Sequence, residues 1–167
     1  GHFIDPLFTH TTTGFTRPGD EEHPYLASVS CVHDPEEEGF VQEMIMQPEE
    51  AAKRVSAIPA GDGSFRTIPP EAFPEQVQII SRDEAGYALQ LQIGGFPFNG
   101  EEVRLALGLP SACFELNRHG SDVRFSVRGR GHGWGLSQTE AQALAEDGWS
   151  AEAILEYFYT GISFSSE

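Results

Sequence analysis

Glycine occupies every second position in one short stretch of the chain, and this spacing limits what the stretch can form. The stretch runs from Arg128 to Gln138, and its alternating glycines are Gly129, Gly131, Gly133 and Gly135. In an extended backbone, side chains alternate between two faces, so one face would be bare and the other would carry Arg130, His132 and Trp134. A bare face allows another backbone, or a flat ligand such as a sugar ring, to approach closely. A glycine-rich turn packed against the core is the simpler alternative.

Two short helices are predicted after the glycines. Ser137 and Glu140 have the spacing of a capping box at the start of the first helix. Apolar residues then recur at helical spacing, and Gly148 suits the left-handed residue that follows a helix. Ser150 is expected to cap a second helix that ends near Gly161. The last part of the chain is therefore predicted to be a helical pair.

The middle of the chain is predicted to be rich in antiparallel strands. One strand shows the clearest alternation, because Tyr87, Leu89, Leu91 and Ile93 alternate with small or polar residues, which places these four side chains on a buried face. Short helices are expected near Pro48 and after Asn99. The predicted fold class is α+β, with an antiparallel β-rich middle, short helices and a C-terminal helical pair that follows the glycine-rich segment. A single domain over residues 1–167 is the expectation for this length.

Composition excludes some functions. The net charge is −16 at pH 7 and Lys53 is the only lysine, so a nucleic-acid partner is not expected, because phosphate binding requires a basic face. Two cysteines, Cys31 and Cys113, cannot form a disulfide framework, and their spacing leaves open whether they pair. No apolar run approaches the roughly 20 residues needed to cross a bilayer.

The glycine-histidine motif also points to a known family. Residues 129–141 resemble the signature Gly-x-Gly-His-Gly-x-Gly-[Leu/Met]-Ser-Gln-x-Gly-Ala of the stage II sporulation protein D / LytB amidase-enhancer family (the SpoIID domain). Residues 10–14 look like its His-Ser-Thr-x-Gly segment, and residues 24–29 are similar to its Pro-Tyr-Leu-Arg-Ser-Val block. Residues 104–109 resemble its Arg-x-x-Leu-Gly-Leu block. The likeness covers nearly the whole chain in the right order.

This resemblance implies an activity and a set of site residues. Family members that are enzymes are lytic transglycosylases, which cleave peptidoglycan glycan strands lacking stem peptides and leave 1,6-anhydro-muramic ends. It implies an extracytoplasmic location, at the cell wall or the outer face of the membrane, with a cell-wall amidase as a possible partner and no cofactor or metal. The residues that it assigns to substrate binding are His10, Thr11, Thr12, His132, Trp134, Ser137 and Gln138.

Departures from the family pattern limit the resemblance. Arg130, Glu140 and Ala27 stand where the family often has Trp, Gly and Arg. Some members carry a zinc-binding cysteine near the position of Thr13, and this chain has none there. The family's catalytic glutamate lies upstream of the His-Ser-Thr segment, so the chain is expected to be an N-terminally incomplete fragment with its catalytic acid outside it.

Several alternatives stay open from the sequence. The chain could be a non-catalytic glycan-binding or amidase-stimulating module, or its glycines could form a phosphate-binding loop, although no lysine is nearby. Glu140 could replace the missing acid, and His132 could be a structural histidine. Cys31 and His33 could bind zinc, but two potential ligands are weak evidence. The acidic run 34–39 is expected to be a solvated turn.

Overall fold

The computed structural model describes residues 2–165. These residues divide into two compact units. The central unit is Val41–Arg128, and the terminal unit combines Gly1–Phe40 with Gly129–Glu167. Strands and short helices occur together, which confirms the α+β class. The expected single domain over residues 1–167 stays a prediction.

The elements of the described chain are short. The strands are β1 (Phe8–Thr9), β2 (Val41–Met46), β3 (Val77–Arg82), β4 (Ala88–Ile93), β5 (Phe96–Asn99), β6 (Phe114–His119), β7 (Asp122–Arg128) and β8 (Leu136–Ser137). The helices are α1 (Pro48–Ser56), α2 (Gly100–Leu107), α3 (Gln138–Glu146) and α4 (Ala151–Phe158). Two 3-10 turns cover Asp34–Glu36 and Pro70–Ala72. Within residues 2–165, no helix has both the length and the apolar character that a membrane crossing requires.

The central unit contains two antiparallel three-stranded sheets. Their strand orders are β2-β7-β6 and β3-β4-β5. Gly94 and Gly95 join β4 to β5 with φ values of 57° and 85°, which is the left-handed geometry of a two-residue hairpin turn. Asn99 caps α2 by accepting hydrogen bonds from the backbone N–H groups of Glu101 and Glu102. The apolar core of this unit includes Val55, Leu91, Phe98, Val103, Phe125 and Val127.

One strand departs from its predicted pattern. In β4, Leu91 and Ile93 are buried as expected, but Leu89 is 40% exposed and Ala88 is buried in its place. The pairing register of β3 with β4 shifts around Ser81, so the simple alternation of faces is interrupted at this end of the strand. The prediction that Leu89 shares the buried face is therefore wrong.

The terminal unit brings the two ends of the chain together. β1 pairs with β8 in parallel, with Phe8 opposite Leu136 and Thr9 opposite Ser137. The helices α3 and α4 follow β8, as predicted from the glycine-rich segment onward. Ser150 caps α4 by accepting a hydrogen bond from the N–H of Ala153. The apolar core of this unit includes Leu26, Cys31, Leu144, Ile154, Phe158 and Tyr159.

The two cysteines do not form a disulfide. Cys31 and Cys113 are both free and buried. Burial raises the pKa of the Cys31 thiol to about 12, and burial also raises the pKa of Cys113. Both thiols therefore stay protonated at neutral pH and pack as small apolar groups.

Candidate functional site

The glycine-rich segment is an irregular loop rather than an extended strand. All four alternating glycines have positive φ values, between 74° and 105°. At three of them the bare side is occupied by the chain itself. A Cβ on Gly135 would overlap the carbonyl oxygen of Leu7, one on Gly131 would overlap the Thr9 hydroxyl, and one on Gly129 would overlap the carbonyl oxygens of Thr11 and Thr12. The loop is hydrogen-bonded to the same segment, with Thr11 and Arg130 exchanging two backbone hydrogen bonds of 3.0 and 2.8 Å.

This close packing corrects the expectation of an extended ribbon that is open to a sugar ring. The sequence alone allowed either another part of the chain or a flat ligand on the bare face. In the structure, residues 7–12 of the chain lie there. The glycines therefore hold the segment with His10 against the start of α3. They position a site and do not form its surface.

A buried carboxylate reinforces this arrangement. Asp34 is completely buried, and its Oδ2 accepts hydrogen bonds of 2.6 Å from the backbone N–H and the hydroxyl of Thr12. The Ser137 hydroxyl donates to the same carboxylate at 2.8 Å. Burial raises the pKa of Asp34, and the hydrogen bonds from Thr12 and Ser137 oppose that rise. The expectation that the whole acidic turn is solvated is wrong at Asp34.

Three of the predicted substrate-binding residues are buried by contacts with the carboxylates of this turn. Thr12 and Ser137 are completely buried against Asp34, and Thr11 is 2% exposed with its hydroxyl bound to Glu37. Ser137 also caps α3, as predicted, by accepting a hydrogen bond from the N–H of Glu140 at 3.3 Å. Since their polar atoms are already bonded below the surface, these three residues fix the backbone. The structure does not support direct contact between them and a substrate.

Glu140 is paired in a way that the sequence did not predict. Its Oε2 accepts a 2.8 Å hydrogen bond from the backbone N–H of His33, and its Oε1 lies 3.0 Å from His33 Nδ1. Glu140 is 2% exposed, whereas the His33 ring is partly exposed. The hydrogen bond with Glu140 is the main reason that the pKa of His33 is raised. A carboxylate this occupied and enclosed does not suit the role of a replacement catalytic acid.

An open groove lies beside the first turns of α3, and we call it the polar groove. Its volume is about 590 Å³, and the side chains that line it include His10, His33, Glu37, Gln138, Thr139 and Gln142. His10 comes from the N-terminal segment and Gln138 from the first residue of α3, and their Nδ1 and Oε1 atoms are 3.3 Å apart. The groove therefore joins two parts of the sequence that were predicted separately to bind substrate.

Glu37 also lines this groove and contacts His10. Its Oε1 lies 3.0 Å from His10 Nε2, and its Oε2 accepts hydrogen bonds from the hydroxyls of Thr139, at 2.6 Å, and Thr11. Burial by itself raises the pKa of Glu37, but the hydrogen bonds from Thr11 and Thr139 and the proximity of His10 outweigh burial and lower the pKa below its usual value. Glu37 is therefore a fixed, ionised acceptor at neutral pH.

Comparison with known proteins agrees with this arrangement of motifs. Over 97% of its length the chain is 28% identical to two proteins named Stage II sporulation protein D, from Bacillus amyloliquefaciens and from Bacillus subtilis (strain 168). The similarity supports membership of the stage II sporulation protein D family. The aligned region is 45% of each relative, so the chain spans about half the length of these proteins. No family model matches the chain.

The other two residues that the family resemblance assigns to the site lie elsewhere in the terminal unit. The rings of His132 and Trp134 are in tilted contact with centroids 5.6 Å apart, and His132 Nδ1 accepts a 3.0 Å hydrogen bond from the backbone N–H of Trp134. Trp134 donates to the carbonyl of Pro18, and the Arg17 guanidinium lies 3.9 Å from its ring centroid. Trp134 lines a separate depression of about 270 Å³ and not the polar groove. At most one face of its ring is left for stacking on a sugar.

Sequence reasoning missed Asp34 and Glu37, the two carboxylates that organise the site. Both lie in an acidic run with Glu36 and Glu38, and nothing local distinguishes a buried carboxylate from its exposed neighbours. The family motifs contain neither residue. The only local signal is Pro35, which favours a turn that could point Asp34 inward. Among residues 2–165, no three His, Cys, Asp or Glu side chains are grouped so that they could hold a metal ion.

Proposed function

We propose that the chain forms the substrate groove of a lytic transglycosylase that acts on peptidoglycan glycan strands lacking stem peptides. The observation that carries this proposal is the meeting of His10 and Gln138 in the wall of the polar groove. Each belongs to a different motif of the family resemblance. The groove has the size of a small-ligand site, and hydroxyl-rich sugars bind through polar side chains of this kind. Similarity to two Stage II sporulation proteins D supports a role at the cell wall.

The proposed reaction needs little from the protein besides positioning and proton transfer. The 6-hydroxyl of the sugar attacks its own anomeric carbon and gives a 1,6-anhydro product, so a single acid/base carboxyl can suffice where ordinary glycosidases use two. The acid must be protonated and must reach the glycosidic oxygen. Asp34 is buried, and Glu37 has a lowered pKa. The family resemblance implies that the acid is a glutamate upstream of this chain, and the proposal adopts that acid.

The proposed substrate also implies a location and a partner. Glycan strands of this type lie outside the cytoplasm, so the chain would act at the cell wall or the outer face of the membrane. An amidase that removes stem peptides would supply its substrate. The excess of acidic residues favours a carbohydrate over a nucleic-acid ligand.

A second candidate is a non-catalytic glycan-binding or amidase-stimulating module. One observation favours it: the Glu37 carboxyl that contacts His10 at the groove has a lowered pKa, which is the opposite of what a general acid requires. A module that only binds would use the same groove without an acid. The two candidates therefore differ in product and not in binding surface.

One digestion experiment separates them. Full-length protein is incubated with glycan strands from which an amidase has removed the stem peptides, and mass spectrometry counts 1,6-anhydro-muramic ends. Transglycosylase activity predicts new ends that accumulate with time. Binding to the strands without new ends supports the second candidate, and absence of binding contradicts both.

A matched pair of variants tests whether the polar groove is the binding surface. Gln138→Ala is expected to weaken strand binding by about tenfold, since it removes a polar contact of about 1 kcal/mol or more. Gln92→Ala removes an exposed glutamine from the central unit and should leave binding unchanged. Equal binding by both variants would place the strand elsewhere.

A further inference from the structure

His10 is held between two polar side chains at the polar groove. Its Nε2 faces the carboxylate of Glu37 at 3.0 Å, and its Nδ1 faces the amide of Gln138 at 3.3 Å. The His10 side chain is 41% exposed, so the ring can reach a molecule in the groove. In enzymes, a histidine that transfers protons has one ring nitrogen held by a hydrogen-bond partner and the other accessible to the substrate.

Glu37 is well suited to orient the ring. Two hydroxyl groups, from Thr11 and Thr139, donate to its Oε2 and leave Oε1 for His10. Thr139 is itself attached to the histidine segment, because its backbone N–H donates a 3.1 Å hydrogen bond to the carbonyl of His10. As an ionised acceptor, Glu37 requires a proton on Nε2. In the neutral ring, the lone pair is therefore on Nδ1, which is the nitrogen on the side of Gln138.

The side-chain amide of Gln138 can form a hydrogen bond with Nδ1 of His10 whether the ring is neutral or protonated. A half-turn of its amide exchanges a carbonyl acceptor for an NH₂ donor. The NH₂ group can donate to Nδ1 when the ring is neutral, and the carbonyl can accept from Nδ1 when the ring is protonated. Gln138 is exposed and its contact with Nδ1 is long, so a substrate hydroxyl can take its place.

We propose that His10 is a catalytic base that accepts the proton of the sugar's 6-hydroxyl, with Glu37 and Gln138 as positioning residues. This inference rests on the transglycosylase function proposed above and divides its proton transfers between two groups. The 6-oxygen forms a bond to the anomeric carbon while its proton moves to Nδ1 of His10. The bond from the anomeric carbon to the leaving sugar's oxygen breaks, its electron pair stays on that oxygen, and the carboxylic acid that the proposed function takes from upstream of this chain protonates it. Transfer of the proton from His10 to that carboxylate through water then restores both groups.

The test uses full-length protein, strands lacking stem peptides, and the rate at which anhydro ends form. His10→Ala is expected to lower this rate by about 100-fold or more, as loss of a general base does. Added imidazole should restore part of the rate, because a small base can enter the space that the side chain left. Glu37→Gln should lower the rate by about tenfold without rescue by imidazole, since the ring is still present but no longer fixed.

The control variant is Gln92→Ala, which removes an exposed glutamine of the central unit that does not line the polar groove. Its rate should stay within about twofold of the unaltered protein. If the unaltered protein forms no anhydro ends, the proposed function fails and this inference fails with it. If it forms them, then full activity of His10→Ala, or a loss that imidazole does not restore while binding persists, overturns the inference alone. Should His10→Ala not fold, the near-isosteric His10→Gln decides, because activity retained in that variant also overturns it.

Discussion

The two units of this chain are stabilised by different kinds of contact. The central unit buries aliphatic and aromatic side chains between its sheets and helices. Among the described residues, the buried polar or charged side chains lie almost all in the terminal unit, and Ser111 is the exception in the central unit. The terminal unit thus carries buried threonines, an arginine and two carboxylates where the central unit carries leucine, valine and phenylalanine. Polar burial is concentrated in the unit that contains the candidate site.

This difference follows from what a binding site requires. A buried polar group costs free energy unless it is hydrogen-bonded, so such groups are retained where they fix geometry. Asp34 fixes the start of α3 against the histidine segment, and Glu37 fixes the His10 ring. In the central unit, residues 41–128, the only buried polar side chain is Ser111, and the core relies on apolar burial. Substitutions in the core of the central unit should therefore lower stability by creating cavities. Substitutions at the buried polar residues of the terminal unit should lower it by leaving polar groups without hydrogen-bond partners.

The largest effect is expected from a cavity in the central unit. Leu91→Ala should lower the free energy of unfolding by about 2–5 kcal/mol, because Leu91 is 1% exposed within the apolar core. Leu89→Ala, two residues earlier in β4, is the matched control and should cost about 1 kcal/mol or less, since Leu89 is 40% exposed. Urea unfolding of both variants measures the difference. Equal losses would mean that Leu89 is buried as the sequence pattern predicts.

Leu91 and Leu89 show which features of the central unit can be predicted from the sequence and which cannot. Periodicity and capping signals correctly predicted an antiparallel β-rich unit with short helices near Pro48 and after Asn99. These features depend on residues close in sequence. The register shift near Ser81 depends on how two strands pair, and no local pattern encodes it. Leu89 was misplaced for that reason.

The terminal unit was harder to predict, because its site is assembled from distant segments. The motif residues His10 and Gln138 were identified and do meet. Asp34 and Glu37 were not identified, because their partners lie more than 100 residues away, at Ser137 and Thr139, or near the N-terminus. The glycine spacing was noticed, but the choice between a backbone and a ligand on its bare side required coordinates.

An intermediate effect is expected from Asp34 in the terminal unit. Asp34→Ala removes the acceptor for three buried donors, from Thr12 and Ser137, and should cost about 2–3 kcal/mol in urea unfolding. Glu38→Ala changes an exposed carboxylate in the same acidic run and should stay within about 0.5 kcal/mol of the original protein. A loss below 1 kcal/mol for Asp34→Ala would remove the contrast between the two units.

The same carboxylate also predicts a dependence on pH. The pKa of Asp34 is raised mainly by burial, so its protonated form favours the folded state. That contribution is fully present below the unfolded pKa of about 3.9 and is lost as pH rises through the folded pKa. The stability of the unaltered protein relative to Asp34→Asn should therefore decrease as pH rises through this range. A difference that stays constant with pH would contradict the raised pKa.

The smallest effect is expected at the rim of the groove, from the pair of His33 and Glu140. The hydrogen bond with Glu140 is the main cause of the raised pKa of His33, so Glu140→Gln should lower that pKa toward its ordinary value in an NMR titration. The pair stabilises the fold fully below the unfolded pKa of about 6.5, and its contribution is lost as pH rises through the folded pKa of His33. Glu36→Gln should lower the His33 pKa less, because Glu36 acts only through its charge. An equal fall in both variants would show that general negative charge, and not a specific buried hydrogen bond, distinguishes the terminal unit.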